Sequence, residues 1–290
     1  MKYFKIPAKF EWGQPVRSLH EARFAVKTLI HLIGASALLL ILGGTALAQE
    51  TVRIATEGSY PPWNATDAGG TLIGFDIDVG NAMCERMEVT CEWVPQKWEA
   101  IILGLLAGHY DLIISSMSIT DERRKRIAFS DAYVTDPVFF VAAADSELQS
   151  ATTLEEVQSL LVGKAVGVQP ATVHANFLQE YLGATIEMRL YDTQDNIILD
   201  LASGRIDAGL AHRSSWQAFF QTEDGAGFDT FGPPLTGGEY PVLGEGTGIG
   251  IRKEDTELLA MVNEALAAMK VDGTMKALSE KWFGYDITMY

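Results

Sequence analysis

The feature that most constrains the fold of this chain is an alternation of apolar, strand-like segments with amphipathic, helix-like segments. The alternation runs twice after residue 51, and an irregular stretch at 129–137 separates the two rounds. Apolar strands that alternate with helices are typical of parallel sheets covered by helices on both faces. The pattern therefore predicts a doubly wound α/β fold with two lobes.

The predicted elements follow the periodicity of the apolar residues. Strands are predicted at 51–56, 91–95, 111–115, 138–144, 164–168, 187–191, 205–210 and 248–252. Helices are predicted near 79–83, from Trp98 to Leu106, and at 154–161, 174–181, 194–202, 257–270 and 276–283. The apolar face of the last helical region is predicted to contain Leu258, Met261, Ala265 and Met269.

A cluster of hydroxyl side chains follows the third predicted strand and precedes Arg123. The cluster consists of Ser115, Ser116, Ser118 and Thr120. Arginine grips a carboxylate through two parallel hydrogen bonds, and hydroxyls with free N–H groups can complete the shell around both oxygens. The cluster therefore predicts a carboxylate site, and the alternative is a turn that caps a helix while Arg123 is solvated.

Other chemically active residues fall at comparable positions in the first lobe. Ligands of doubly wound sheets bind beyond the carboxyl ends of the strands. Side chains expected to gather there are those of Glu57, Tyr60, Trp98, Ser115 and Arg123.

The composition excludes one class of partner. Asp and Glu number 38, whereas Lys and Arg number 22 in a chain of 290 residues. Phosphate recognition depends on clustered basic residues, so this balance argues against a nucleic-acid partner.

Residues 1–48 differ in composition from the rest of the chain. An uncharged apolar run at 32–48 follows Lys27 and ends in Ala46-Leu47-Ala48. This pattern predicts a secretory signal peptide that is cut after Ala48, with translation starting either at Met1 or near Val26. The alternative is an uncleaved membrane anchor.

The chain has two cysteines, Cys84 and Cys91. In an exported chain, an even pair most simply forms one disulfide. A metal site would need more ligands than the neighbouring sequence offers, so no metal site is predicted there.

The chain from Thr51 onward resembles the extracytoplasmic amino-acid-binding proteins of ABC importers, in particular the lysine/arginine/ornithine and histidine binders. The resemblance is carried by GFDIDVGNAMCERM, DLIISSMSITDERRKRIAFSDAY, GVQPATVH, YDTQDNIILDLASGRIDAGL, GEGTGIGIRKEDTEL and VDGTMKALSEKWFGYDI. It implies a type II periplasmic-binding-protein fold, in which two α/β lobes are joined by two hinge strands. Lobe 1 is then expected at 49–134 and 241–290, and lobe 2 at 135–240. The resemblance also implies the Cys84–Cys91 disulfide, a monomer and a periplasmic location.

The resemblance also implies roles for individual residues of lobe 1. Arg123, with Ser116 and Ser118 before it, stands where the family holds the ligand's α-carboxylate. Tyr60 and Trp98 stand where two aromatic rings enclose the aliphatic part of the ligand. Glu57 stands where the basic-amino-acid binders place an acid against a distal cation.

Two positions of lobe 2 depart from the family pattern. His212 stands where the family has an aspartate that pairs with the α-ammonium group, and an imidazole cannot provide that charge pairing. The loop that usually reads Gly-Thr-Thr-Gln is Ala171-Thr172-Val173-His174 here. We therefore expect a ligand whose α-nitrogen is substituted, acylated or absent, such as an opine or a guanidino acid. The alternative is a metal held by His174 and His212.

The function implied by the resemblance is capture of a small basic or modified amino acid by closure of a cleft, followed by delivery to an ABC permease. No cofactor is expected. One alternative is a secreted enzyme resembling cyclohexadienyl dehydratases, in which Glu57 would act as the acid. The other alternative is the ligand-binding domain of a sensor.

Overall fold

The alternation of strands and helices is present in the structure, a computed structural model that describes residues 51–289. The signal peptide expected at 1–48 lies outside the described residues. The strands are β1 Thr51–Thr56, β2 Ser59–Tyr60, β3 Asn64–Thr66, β4 Leu72–Ile73, β5 Thr90–Pro95, β6 Leu112–Ile113, β7 Ala128–Phe129, β8 Val138–Ala143, β9 Ala165–Val168, β10 Glu187–Leu190, β11 Ala208–His212, β12 Phe228–Leu235 and β13 Gly250–Ile251. The helices are α1 Phe75–Arg86, α2 Ile101–Leu106, α3 Asp121–Arg124, α4 Leu154–Leu160, α5 Val173–Tyr181, α6 Gln194–Ala202, α7 Arg213–Phe220, α8 Thr256–Val271 and α9 Thr274–Phe283. No helix in this part of the chain is both long enough and apolar enough to cross a membrane.

Two five-stranded sheets form the frame of the molecule. The first sheet has the order β5-β1-β6-β13-β7, and its three leading strands run parallel. The second sheet has the order β10-β9-β11-β8-β12, again with three parallel strands followed by antiparallel ones. Parallel strands direct their carboxyl ends to one edge of a sheet, so each sheet gathers its loops at one edge.

The chain crosses between the two sheets twice. The first crossing lies between β7 and β8, and the second lies between β12 and β13. The crossing segments pair with each other through a bridge between Val134 and Thr247. The expected lobe boundaries at 134/135 and 240/241 fall within these crossings and stay a prediction.

Threonine side chains begin several of the helices. The hydroxyl oxygens of Thr120, Thr153, Thr172 and Thr193 each accept a hydrogen bond from a backbone N–H in the first helical turn. Such caps satisfy N–H groups that have no partner within the helix. Two of these caps, Thr120 and Thr172, fix the starts of the helices that carry Arg123 and His174.

Three details of the predicted elements are wrong. The strand expected at 205–210 is β11, three residues later, because the preceding residues form a turn in which the carboxylate of Asp207 accepts a hydrogen bond from the N–H of Ala165. Trp98 begins a short 3-10 turn, and the helix itself starts at Ile101. Met261 is 37% exposed and lies outside the apolar face that buries Ala265 and Met269.

The predicted disulfide between Cys84 and Cys91 is confirmed. It joins the last turns of α1 to the second residue of β5, with 6.1 Å between the two Cα atoms. The bridge closes the short connection between these two elements.

Replacing both cysteines with alanine should lower the free energy of unfolding by about 2–3 kcal/mol, because an open chain gains conformational entropy on unfolding. Urea denaturation of the oxidised protein and of the double variant measures the difference, and reduction of the natural chain with dithiothreitol is the matched control. Equal midpoints for all three samples would contradict the prediction.

Candidate functional site

All ten residues that the sequence predicted as ligand-binding lie around one cavity between the two sheets. They are Glu57, Tyr60, Trp98, Ser115, Ser116, Ser118, Arg123, Thr172, His174 and His212. The cavity is small, with about 30 Å³ of space for the centres of water-sized molecules. The structure thus brings the predicted residues together.

Four residues outside the predicted ligand-binding set also line the cavity. They are Gln169, Val173, Gln194 and Leu210. Gln169 directly follows strand β9 of the second sheet. Glu57 directly follows strand β1 of the first sheet, so the two residues occupy equivalent positions. The rule of ligand binding beyond strand ends could have found Gln169, had it been applied to the second sheet as well as to the first.

Arg123 places a cation at the wall of the cavity. Its Nη1 donates to the carbonyl oxygen of Ser118 at 2.8 Å, and its Nη2 donates to that of Ala171 at 3.3 Å. The guanidinium carbon lies 5.1 Å from the ring centroid of Trp98, a distance suited to a cation–π contact. Burial lowers the pKa of Arg123 to about 10, so the group stays cationic at neutral pH.

The serine cluster offers a hydroxyl that is free to bind a ligand. Ser116 has φ 49°, in the left-handed region, and its Oγ is buried with no hydrogen-bond partner in the structure. The Oγ of Ser115, by contrast, accepts a hydrogen bond from the backbone N–H of Glu57 at 3.0 Å. Because an unpaired buried hydroxyl is costly, the free group of Ser116 indicates a place where a ligand atom completes the site.

Asp76 holds the serine turn and the first loop in place, and sequence reasoning missed it. Its carboxylate is fully buried and accepts hydrogen bonds from Asn64 Nδ2 at 2.8 Å, from the Tyr133 hydroxyl at 3.4 Å and from the backbone N–H of Ser116. Asn64 in turn accepts a hydrogen bond from the N–H of Gly58 at 2.8 Å. Burial raises the pKa of Asp76 to about 7, against the effect of these donors.

Glu57 is the one acidic residue among those that line the cavity. Its Oε1 accepts a hydrogen bond from Nε2 of Gln169 in lobe 2 at 2.5 Å. Burial raises the pKa of Glu57 to about 7; the hydrogen bond from Gln169 opposes this rise, and the nearby Asp195 adds to it. Glu57 therefore sits close to its midpoint of ionisation at neutral pH.

Two buried histidines form the lobe 2 wall. The rings of His174 and His212 meet edge to face, with 4.7 Å between their centroids. The Tyr60 hydroxyl lies 3.3 Å from Nδ1 of His212, and Nε2 of His174 is buried without a partner. Burial and the charge of Arg123 hold the pKa of His212 at about 4, and burial, the neighbouring ring and Arg123 hold that of His174 well below its usual range. Both imidazoles are therefore neutral at pH 7.

A metal ion held by His174 and His212 would have no third protein ligand in the described part of the chain. Within residues 51–289, no group of three or more His, Cys, Asp and Glu side chains comes together in a way that could hold a metal ion. Stable metal sites in proteins use three or more protein ligands in most cases.

Comparison with known proteins agrees with this architecture. The family model of bacterial extracellular solute-binding proteins, family 3, matches residues 52–285. An L-arginine-binding protein of Pseudomonas aeruginosa is 36% identical over 88% of this chain and 96% of its own length. An octopine-binding periplasmic protein of Rhizobium meliloti is 34% identical over 87% of this chain and 97% of its own length. The solved structure of an ancestral arginine-binding protein bound to arginine superposes with a TM-score of 0.73 at 33% identity, covering 82% of this chain and 100% of that one.

The raised pKa of Glu57 predicts how Glu57→Gln changes stability with pH. Between pH 4.5 and about 7 the folded chain holds the Glu57 proton more tightly than the unfolded chain does, so this group's contribution to stability falls as pH rises. Glutamine does not titrate and still accepts the hydrogen bond from Gln169. The variant should therefore gain stability over the natural chain by on the order of 2 kcal/mol between pH 4.5 and pH 8.

Urea denaturation of ligand-free protein at several pH values measures this difference. The same change at Glu85, which is exposed on α1, is the control for removal of a carboxyl. A difference between Glu57→Gln and the natural chain that stays constant with pH would contradict the prediction.

Proposed function

The chain belongs to the family of bacterial extracellular solute-binding proteins, family 3, and we propose that it captures an amino-acid-like carboxylate with a distal cation and delivers it to an ABC permease. The observation that carries the proposal is the joining of Arg123, the free hydroxyl of Ser116 and the carboxyl of Glu57 in one cavity between two lobes. The chain is a binding protein and not an enzyme, and its curated relatives are likewise named as binding proteins.

The carboxylate of the ligand binds Arg123 and the serine turn. Arg123 donates two of its five N–H groups to carbonyl oxygens, and the other three are available to a ligand. The hydroxyls of Ser116 and Ser118 complete the shell around the carboxylate. A charge-assisted pair in a cleft that excludes water is stronger than the same pair at the surface.

The cationic end of the ligand binds Glu57. Gln169 orients this carboxyl from the opposite lobe, and Tyr60 and Trp98 flank the aliphatic part of the ligand. A cation beside Glu57 favours its ionised form, so binding releases a proton near neutral pH, where Glu57 is only partly ionised.

Closure of the cleft couples binding to recognition by the permease. In the structure the two lobes touch through hydrogen bonds from Trp98 Nε1 to the Ala171 carbonyl at 3.2 Å and from Trp63 Nε1 to Ser214 Oγ at 2.7 Å, besides the contact between Glu57 and Gln169. A ligand that bridges both lobes binds the closed state better than the open state and shifts the population toward it. The permease engages this closed monomer.

Export places the protein where this capture takes place. The family is extracellular, and the amino-terminal segment acts as a signal peptide that is cut after Ala48. The protein recovered from the periplasm should then begin at Gln49, which amino-terminal sequencing or intact-mass measurement checks. A recovered chain that retains residues of the 1–48 segment would contradict the cut.

Replacing Arg123 with glutamine should weaken ligand binding by at least about 100-fold, because a charge-assisted pair to the carboxylate is lost. Calorimetric titration measures this on protein purified after export and freed of carried-over ligand, with L-arginine, L-lysine, L-ornithine, L-histidine, octopine and 5-guanidinopentanoate as probes.

The matched control is Arg124→Gln on the same helix. Arg124 pairs with Glu245 at the surface, 2.7 Å away, and exposed pairs of this kind contribute little. Its binding should stay within about threefold of the natural chain. Equal losses in both variants, or no binding of any probe by the natural chain, would contradict the proposed function.

A further inference from the structure

The charges that line the cavity balance when Glu57 is ionised. Among the lining residues only Arg123 and Glu57 carry a formal charge, and the two histidines are neutral. A ligand with one carboxylate and one distal cation keeps this balance. A plain basic amino acid adds an ammonium group, which would be a second cation facing a single acid. A buried charge without a counter-charge is strongly disfavoured.

The place next to the ligand carboxylate offers no anion for such an ammonium. One carbon atom separates an α-ammonium from its carboxylate, so the group would lie near Arg123 and the lobe 2 wall. The charge of Arg123 already disfavours protonation of both imidazoles there. The hydroxyl of Thr172 is engaged, since it donates to the Gln169 carbonyl at 2.7 Å and accepts from the Ala175 N–H at 3.1 Å.

Two other buried carboxyls, those of Asp76 and Asp136, are engaged elsewhere. Asp76 accepts its three hydrogen bonds behind the serine turn. Asp136 is buried near the start of α7, where its Oδ2 accepts the backbone N–H of Ser214 at 3.0 Å. Neither residue lines the cavity.

The packing of the lobe 2 wall separates the remaining ligands. The rings of His174 and His212 meet edge to face with 4.7 Å between their centroids, so this wall has little room for a group attached at the α-position. An acyl group or a second carboxylate arm would have to displace the packed rings of His174 and His212, which are 6% and 7% exposed.

We propose that the ligand is an ω-guanidino or ω-amino carboxylate that bears hydrogen, and neither an ammonium nor a larger substituent, at its α-carbon. This inference rests on the proposed function and specifies its ligand class. His174 and His212 set the specificity: their neutral rings close the cleft over the α-carbon and provide no negative charge to pair with a cation. The unpartnered Nε2 of His174 is buried at this wall and is available to a polar group of the ligand.

Two matched pairs of probes test the proposal. 5-Guanidinopentanoate differs from L-arginine only by the missing ammonium, and 6-aminohexanoate differs from L-lysine in the same way. Calorimetric titration of the exported protein should show each deaminated probe binding at least about tenfold more tightly than its amino acid, because the unpaired ammonium is penalised.

Variants at His212 test whether charge at this wall sets the preference. His212→Asp should favour L-arginine over 5-guanidinopentanoate, since it places a carboxylate beside the α-carbon, and Asp is also a favoured residue at the helix start that His212 occupies. His212→Asn is similar in shape to His212→Asp but lacks the charge, so it should not gain the preference of His212→Asp for L-arginine. His109→Asp, the same change at an exposed histidine outside the cavity, should keep the preference of the natural chain.

The possible outcomes separate this inference from the proposed function. L-Arginine binding as tightly as 5-guanidinopentanoate, or tighter binding of octopine or Nα-acetyl-L-arginine, would overturn this inference and leave the proposed function standing. Stoichiometric binding of Zn²⁺ alone that His212→Asn abolishes would also overturn it. Binding of no carboxylate probe would overturn both.

Discussion

The buried carboxylate of Asp76 is the interaction on which the lobe 1 half of the site depends. It receives donors from the first loop through Asn64, from the serine turn through the N–H of Ser116, and from the first crossing between the sheets through Tyr133. A fully buried carboxyl is tolerated only when hydrogen bonds satisfy it, so these three segments are held in one arrangement. That arrangement leaves Ser116 in a left-handed conformation with its hydroxyl free.

The electrostatics of the cavity also follow from burial, which removes its ionisable groups from water. Burial pulls the pKa of Glu57 upward and those of the two histidines downward, so the site holds one permanent cation, one acid near its midpoint and two neutral rings. A binding protein must recognise its ligand strongly and still release it. Polar groups that remain unsatisfied until a ligand arrives, such as Ser116 Oγ and His174 Nε2, make the empty closed state costly and so favour reopening.

Much of the fold and most of the cavity lining could be predicted from the sequence. The two rounds of strands and helices, the pairing of Cys84 with Cys91 and the family were predicted and are confirmed. The residues with distinctive chemistry, such as Arg123 and Glu57, were found because they follow strands and resemble a family motif. Gln169 was missed because the rule of ligand binding beyond strand ends was applied to the first sheet alone. Gln194 was missed because an amide at the start of a helix gives no signal of its own.

The sequence by itself determined the fold class and the kinds of groups at the strand ends, because periodicity and residue type are local properties of the chain. Resemblance to the family also predicted that His212 stands where the family has an acid. Only the tertiary structure decided that both histidines are neutral, that Glu57 holds its proton to about pH 7 and that Asp76 joins three segments. These properties depend on burial and on contacts such as that between Glu57 and Gln169, 112 residues apart, which exist only once the two lobes pack against each other.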